Sequence, residues 1–377
     1  MQIVSRCTPS VQIYRSQLHY RDLVLATVVS KASYAAESSV DPVLVEPQLP
    51  VEEADVQTPL GTIEGDLVPI KQGCDLAVYG PAVSRTPVER MKVSVQIGSF
   101  SRTIQVSGYR VWNRRSVGIL PSKPAPFQTM PLDYSRAFGG EAAHPSGTIV
   151  REGNNPGGRG YCLSADDAHG KPLPNVEEVD QLITKWDQSP MPAGLLPLPR
   201  ESVLRGVRGV EADVKSQTTK LTAQALLFGH PRMVLPAYPA GSEAIVLGMS
   251  SAPWKVRLPQ LHLAADISLG GLAHRLRLIP DTLCLVPGQA KLWVVSRRAF
   301  VYPFVPERIR QVVVSQQDAP VADSPTTTIV RELQSAAPTV PIQSPDAPEN
   351  MPIPWEMLRE LWPLTDLIES LPLLASR

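Results

Sequence analysis

Proline is the residue that most constrains how this chain can fold. The sequence holds 39 prolines in 377 residues, about twice the usual share. Proline lacks a backbone N–H and clashes with the preceding helical turn, so frequent prolines disfavour long helices. With 43% hydrophobic residues the chain can still bury a large core. We therefore predict a folded, mainly β protein that is rich in turns.

Several segments of the first third alternate apolar and polar residues with the period of two that is typical of strands. Residues 22–35 are rich in Val, Leu and Thr and predict a buried strand. Strand-like patterns follow in residues 66–83 and 89–112. The second of these predicts a hairpin turning at residues 98–101, because Gly98 accepts the positive φ that tight hairpins need. Strands so close in sequence predict antiparallel sheets.

Four more strand-like segments occur after residue 240, at the spacing typical of an antiparallel meander. They cover residues 242–251, 254–269, 273–287 and 289–303. Between Gly209 and Gly229, the sequence predicts a helix from about Ala212 to Leu227. We expect two β-sandwich-like units, an N-terminal one over residues 1–200 and a second one over residues 201–305.

The last part of the first unit, residues 113–200, has no regular period and is rich in Gly and Pro. A structureless loop of this length is unusual in a compact domain, so an ordered set of turns is expected. At its centre lies FGGEAAHPSGTIVREGNNPGGRGY, residues 138–161, with seven glycines. Gly139 and Gly140 predict a sharp turn with close backbone approach, and residues 155–157 are strong turn formers. Arg159 is expected to bind backbone carbonyls or a carboxylate.

Charge and motif spacing exclude several functional classes. Thirty-six basic residues balance thirty-six acidic ones, without the basic stripe expected of a nucleic-acid or anionic-membrane binder. No run of eighteen apolar residues and no leader-like segment stands out, so we expect a cytoplasmic protein without a membrane span. The four cysteines and six histidines lack metal-ligand spacing, so no metal or other cofactor is predicted.

The sequence contains no recognised catalytic motif. The glycine-rich stretch lacks the Lys and Ser/Thr of a phosphate-binding loop, and no Ser lies in a nucleophile elbow. A β-rich enzyme could still use carboxylates of the middle region as acid and base, with Asp133, Glu141 and Glu152 beside Arg159. We predict a non-enzymatic protein and keep this alternative open.

The C-terminal part changes character after residue 305. Residues 306–354 are rich in Pro, Ser, Ala and Thr and predict an extended linker. Residues 355–377 predict a short amphipathic helix with a kink at Pro363. Its apolar positions are Trp355, Leu358, Leu361, Trp362, Leu367, Ile368 and Leu371. This tail can dock on its own core or, as a tethered helix, in a groove of another protein.

Six motifs occur in order between residues 20 and 305: DLVPIKQGCDLAVYGPA, VSVQIGSFSRTIQVSGYRVW, PFQTMPLDYSRAFGG, NNPGGRGYC, KPLPNVE and PMPAGLLPLPR. Together they resemble a bacterial domain-of-unknown-function family whose members act as chaperones or adaptors for type VI secretion effectors. The chain departs from the family pattern after residue 200, where the usual aromatic-rich stretch is missing.

The resemblance implies a non-catalytic cytoplasmic protein that binds a toxic effector and helps load it on the spike protein of the secretion machine. A structural part of a phage-like assembly remains a further alternative. Matched by motif, the signature positions and possible partner-binding residues are Tyr134, Arg136, Phe138, Gly139, Gly140, Asn155, Pro156, Arg159 and Gly160.

Overall fold

The chain folds mainly into β-strands. The computed structural model describes residues 2–18, 23–207, 210–213, 218–221, 226–269, 272–303 and 309–323. Helical structure in these ranges is short: α1 spans Ala165–Ala168 and α2 spans Val203–Val207. Single 3₁₀ turns cover Tyr134–Arg136, Pro231–Met233 and Pro287–Gln289. The prediction of a mainly β protein is confirmed.

The strands are numbered in chain order. The first nine are β1 Gln2–Arg6, β2 Ser10–Leu18, β3 Leu23–Ala35, β4 Val43–Leu44, β5 Val56–Thr58, β6 Gly61–Ile63, β7 Cys74–Val78, β8 Ala82–Val88 and β9 Arg90–Ile97. The next nine are β10 Phe100–Ser107, β11 Trp112–Arg115, β12 Gly118–Pro121, β13 Phe127–Met130, β14 Phe138–Gly139, β15 Glu141–Ala143, β16 Ile149–Arg151, β17 Arg159–Gly160 and β18 Val176–Glu178. The last ten are β19 Val210–Asp213, β20 Thr218–Leu221, β21 Val234–Leu235, β22 Glu243–Leu247, β23 Trp254–Arg257, β24 His262–Leu269, β25 Leu272–Arg277, β26 Ile279–Val286, β27 Lys291–Pro303 and β28 Ile309–Gln317.

A seven-stranded sheet forms the centre of the molecule, in the order β2-β3-β27-β26-β7-β21 with β4 also on β3. Its two longest strands, β3 and β27, pair antiparallel over thirteen residues from Leu23↔Pro303 to Ala35↔Lys291. Both strands are rich in Val and other residues that suit a buried pleated surface. Strand β7 pairs parallel with β26. Most pairings in the described sheets are antiparallel, as predicted.

One face of this central sheet packs against two other sheets. Alternate residues of β3 and β27 point to this face. Near one end they form a core with the five-stranded sheet β18-β10-β9-β22-β23, to which Ala32 and Val294 contribute. Near the other end, Val28 and Phe300 pack against the four-stranded sheet β1-β28-β24-β25. The central sheet is thus the layer that joins the other two.

The opposite face of the central sheet is covered by residues 51–71, here called the covering segment. It contributes Val51 to the core of this face and buries charged side chains there. Asp66 pairs with Lys31 of β3 at 2.9 Å, and Lys71 pairs with Asp75 of β7 at 2.7 Å. Since all four side chains are buried, these ion pairs fix the covering segment on the sheet.

A third buried ion pair lies beside these two. Arg297 of β27 pairs with Asp281 at 2.5 Å and also donates hydrogen bonds to the carbonyls of Asp66 and Val68. Burial raises the pKa of Asp281, while the charge of Arg297 opposes this change. This layer of buried charge was not predicted from the sequence. The available signal was a set of single charged residues inside otherwise apolar strands.

The strand predicted at residues 22–35 is confirmed as β3, and the hairpin predicted at residues 89–112 as β9 and β10. The chain turns at Gly98, which has a φ of +55°. Ile104 faces Val93 across this hairpin, and both side chains belong to the same core. The local alternation of the sequence was sufficient here, because the two strands are neighbours in both sequence and space.

The helix predicted from Ala212 to Leu227 is wrong within the described residues. Val210–Asp213 and Thr218–Leu221 are instead the antiparallel pair β19 and β20. Valine and threonine in these short segments favour an extended backbone. This preference is stronger than the helical signal of the bracketing glycines.

The single meander predicted after residue 240 is also wrong. The strands do form antiparallel pairs, β22 with β23, β24 with β25 and β26 with β27, but each pair belongs to a different sheet. Residues 1–200 and 201–305 do not form separate β units either, because β22 pairs with β9 and β27 pairs with β3.

The linker predicted from residue 306 to 354 begins too early. Ile309–Gln317 is strand β28, which lies between β1 and β24 and buries Val312 and Val314. The three consecutive valines at residues 312–314 favour a strand more strongly than the surrounding polar residues oppose it. The predicted tail helix, residues 355–377, lies outside the described residues.

We predict that Asp75→Ala lowers the free energy of unfolding by about 3–5 kcal/mol, because it removes the carboxylate that pairs with the buried Lys71 ammonium. The substitution also removes the acceptor of the Phe228 and Gly229 backbone N–H groups. Urea denaturation measures the change. Asp166→Ala is the matched control, since the pair of Asp166 with Arg114 is exposed and its loss should change stability little. Equal effects of the two substitutions would contradict this role of the buried pairs.

Candidate functional site

The structure brings most of the signature positions together at one edge of the five-stranded sheet. Strand β14 pairs parallel with β17, Phe138 opposite Arg159 and Gly139 opposite Gly160. Ala137 forms a parallel bridge to Val176 of β18, which is the edge strand of that sheet. We call the assembly of residues 133–140, 155–160 and 175–178 the signature frame.

Asn155 holds two parts of the frame together. Its side chain is completely buried. The Nδ2 group donates hydrogen bonds to the carbonyls of Tyr134 at 2.8 Å and Phe138 at 2.9 Å. Its backbone carbonyl accepts from the N–H groups of Gly140 and Gly158 at 2.9 and 3.0 Å. One residue thus satisfies backbone groups that no regular sheet would pair, which is why an amide is required there.

Glycine is required at residue 139 by geometry. Its φ is +145°, and a Cβ atom would lie 2.0 Å from the carbonyl oxygen of Asn155. The same holds at residue 140, where φ is +97° and a Cβ would lie 2.7 Å from the Gly158 oxygen. The predicted sharp turn with close backbone approach is therefore present at these two residues.

Asn175 joins the frame to the sheet. Its side-chain Nδ2 donates to the carbonyl of Ser107 in β10 at 3.0 Å, and its backbone N–H donates to the carbonyl of Arg136. The Oδ1 atom of the same amide accepts from Nη1 of Arg159 at 3.2 Å and lies 3.5 Å from Nη1 of Arg136. Asn175 lies in the motif KPLPNVE but was not predicted from the sequence as a site residue.

Arg159 binds a backbone carbonyl, as the sequence predicted. Its Nε donates to the carbonyl of Ser135 at 2.7 Å. The side chain is half-buried, and burial lowers its pKa, with the nearby charge of Arg136 lowering it further. The two guanidinium groups therefore share a small region in which neither is fully hydrated.

Two buried ion pairs fix strand β18 beside the frame. Arg110 pairs with Glu177 and Arg102 pairs with Glu178, each at 2.5 Å. Arg110 also donates to the carbonyl of Pro174 at 2.7 Å. These ion pairs were not predicted from the sequence. Since the two glutamates directly follow Asn175 and Val176, they hold the residues that the arginines of the frame contact.

The remaining signature residues are part of the packing. Tyr134 is buried and donates its hydroxyl to the carbonyl of Leu196 at 3.3 Å. Phe138 packs in a small core with Trp112 and Leu173. Pro156 is half-buried in the turn between Asn155 and Gly158. None of these contacts places a reactive group in solvent.

The three carboxylates considered for an enzyme have different surroundings. Asp133 caps the 3₁₀ turn by accepting from the Ser135 N–H at 2.9 Å. Glu141 is exposed and pairs with Arg151 across β15 and β16. Glu152 accepts from the backbone N–H of Asn155 at 3.0 Å, and burial raises its pKa. Each carboxylate is engaged in a local contact that stabilises a turn or a hairpin.

A cavity of about 360 Å³ lies near the junction of the central and four-stranded sheets. This volume is in the range of small-molecule pockets. Its polar lining includes Lys71, Asp281 and Arg297. These three groups are already paired within the protein, Lys71 with Asp75 and Arg297 with Asp281. These three charged groups thus belong to the buried ion pairs between the central sheet and the covering segment.

In the described part of the chain, no cluster of three or more His, Cys, Asp or Glu side chains is arranged to hold a metal ion. Nor does any helix in those ranges have the length and apolar character to cross a membrane.

Gly139→Ala should destabilise the frame strongly, whereas Gly157→Ala should be tolerated. A Cβ at residue 139 meets the Asn155 carbonyl, but one at residue 157 has open space around it. We expect the first substitution to lower the free energy of unfolding by about 2 kcal/mol or more. Chemical denaturation of both variants measures the difference. A Gly139→Ala protein as stable as the Gly157→Ala protein would show that the frame is not fixed as described.

Comparison with known proteins identifies the family. No curated protein and no solved structure matches this chain. The sequence pattern of one bacterial family, described as "Uncharacterized protein conserved in bacteria (DUF2169)", matches residues 21–297. This range contains strands β3, β7 and β26 of the central sheet and the whole signature frame. Because the match covers well over half of the 377 residues, the chain belongs to this bacterial family.

Proposed function

We propose that this protein is a cytoplasmic adaptor of type VI secretion, which binds a toxic effector and promotes its loading on the spike protein. One observation carries the proposal: the signature residues form a rigid frame of backbone hydrogen bonds, not a set of groups that could exchange protons or attack a substrate. A binding protein needs a surface of fixed shape, and the frame provides one.

The resemblance of the ordered motifs to secretion adaptors supplies the biological context of the proposal. Four of these motifs contribute to the frame and its supports: Arg102 and Arg110 come from the second, Tyr134 to Gly140 from the third, Asn155 to Gly160 from the fourth, and Asn175 to Glu177 from the fifth. Motifs far apart in sequence thus serve one structural purpose.

Exposed apolar side chains near the frame in sequence offer a contact surface for a partner. The hairpin of β11 and β12 carries Val117, which is 80% exposed, and Leu120, which is 41% exposed. The hairpin of β15 and β16 carries Ile149, which is 51% exposed. We propose these two hairpins as part of the surface that contacts a partner.

The tail is the second contact in this proposal. Its apolar positions between Trp355 and Leu371 have the spacing of a helix that docks in a groove, and about thirty residues separate it from the last described residue, Asp323. Such a tether lets the tail bind one partner while the folded part holds another.

Co-purification from the native bacterium tests the proposal. We expect the full-length chain to recover an effector and a spike protein, and a chain ending at Asp323 to lose one of them. The truncation must follow residue 323 because an end at Pro306 would remove strand β28 from its sheet. Mass spectrometry identifies the recovered proteins.

The matched control is a full-length chain with Trp355→Ala and Trp362→Ala, which removes the aromatic anchors while keeping chain length. This variant should lose the same partner as the truncated chain. Recovery of neither an effector nor a spike protein by the full-length chain would contradict the adaptor proposal. If this protein is instead found in the finished secretion particle at a fixed number of copies, it is a structural component of that particle.

A further inference from the structure

We propose that Arg136 and Arg159 together form a binding site for a carboxylate group carried by an acidic segment of a partner protein. Two guanidinium groups converge on the single neutral oxygen Oδ1 of Asn175, at 3.5 and 3.2 Å. The two positively charged side chains therefore lie close together and share one uncharged acceptor, Oδ1 of Asn175.

The ion pairs of the protein make this arrangement unusual. Arg102, Arg110 and Arg297 are buried, and each has a carboxylate partner. Arg205, which is half-buried, pairs with Glu64 at 2.7 Å. By contrast, the described residues provide no ion pair for Arg136 or Arg159. A half-buried guanidinium without an anion is less favourable than one in water, and two together add mutual repulsion.

Asp133 does not supply the missing ion pair. Asp133 attracts the charge of Arg159, but its Oδ1 atom accepts from the N–H and hydroxyl of Ser135 and caps the 3₁₀ turn. It therefore belongs to the frame that holds the arginines. An additional anion would relieve the repulsion between Arg136 and Arg159 without displacing this cap.

The guanidinium groups have donors to spare. Arg159 uses Nε for the Ser135 carbonyl and Nη1 for Asn175, while Arg136 makes only the long 3.5 Å contact from Nη1. Within the described part of the chain, the Nη2 groups of both residues and Nε of Arg136 have no hydrogen-bond acceptor. Both side chains are half-buried, so these donors remain accessible. A carboxylate has the two oxygens that such a fork binds best.

The surroundings favour an anion on a protein segment over a free inorganic ion. Tyr109 is 55% exposed, and its phenol group lies close enough to Arg159 to affect the pKa of the guanidinium. An exposed aromatic ring beside a charged site can pack against the apolar part of a peptide chain, from which a small ion gains nothing. We therefore assign the site to a Glu or Asp side chain within a partner segment.

The inference rests on the proposed adaptor function only for the identity of the partner. The charge arrangement exists in the chain whatever it binds. The binding experiment with peptides is therefore separate from co-purification with an effector, and the two can fail independently.

The direct test uses a fluorescent hexaglutamate peptide, with hexaglutamine of the same length as the uncharged control. Anisotropy at low ionic strength should show saturable binding of hexaglutamate to the full-length protein and no binding of hexaglutamine. Arg136→Gln should weaken binding about tenfold, since it removes one charge-assisted contact. Arg115→Gln is the matched control: Arg115 is exposed, has no ion pair among the described residues, and carries the same charge. It should change affinity less than about twofold.

A second measurement needs no variant. In the wild-type protein, the arginine Nε–H signals of Arg136 and Arg159 should shift on addition of hexaglutamate, while that of Arg115 should not. The proposal is overturned if Arg136→Gln and Arg115→Gln weaken binding equally, or if the Arg136 and Arg159 signals do not move. Binding of inorganic phosphate as tight as that of hexaglutamate would overturn the assignment to a protein carboxylate. Full-length protein that captures an effector equally well with Arg136→Gln would keep the adaptor function and remove this site from it.

Discussion

The fold depends on the layer of buried charge between the central sheet and the covering segment. Lys31, Asp75 and Arg297 project from three different strands on one face of that sheet, and Asp66 and Lys71 reach them from the segment. Desolvating so many charges is unfavourable unless each is paired and hydrogen-bonded in one arrangement. The pairs therefore specify a single position for a segment that has little regular structure of its own. The covering segment buries this face of the central sheet, and the opposite face packs against the five-stranded and four-stranded sheets.

The signature frame receives its rigidity through this order of layers. The central sheet supports the five-stranded sheet through their common core, and β10 of that sheet supports the edge strand β18. Ion pairs of Glu177 and Glu178 then fix β18, and Asn175, just before it, contacts both arginines of the frame. Buried ion pairs and hydrogen bonds at each level restrict how the parts can pack, because breaking one of them leaves a buried polar group without its partner. A loop without regular periodicity can thus hold side chains as precisely as a strand.

Structure that depends on neighbouring residues could be predicted from the sequence, whereas pairings between distant segments could not. Strand β3 and the β9–β10 hairpin were predicted because alternation and Gly98 act within a few residues. The pairing of β22 with β9 joins residues about 150 positions apart, and nothing in a single sequence states such a partner. For the site, glycines with turn formers correctly indicated architecture at Gly139 and Asn155. The convergence of Arg136 and Arg159 on Asn175 depends on the fold of three separate loops and could not be foreseen.

Arg136 and Arg159 lie side by side in the free protein, and this arrangement reduces the entropy lost when an anion binds in the proposed site. Most side chains at an interface lose rotational freedom on association, and this loss reduces affinity. Arg159 is already fixed by the Ser135 carbonyl and Asn175, so little further ordering is needed when an anion binds. A bound anion also attracts both guanidinium charges and so compensates the repulsion between them, which adds to the gain. In the proposed site, the amide of Asn155 and the glycines of the frame therefore contribute to binding indirectly, by fixing the positions of Arg136 and Arg159.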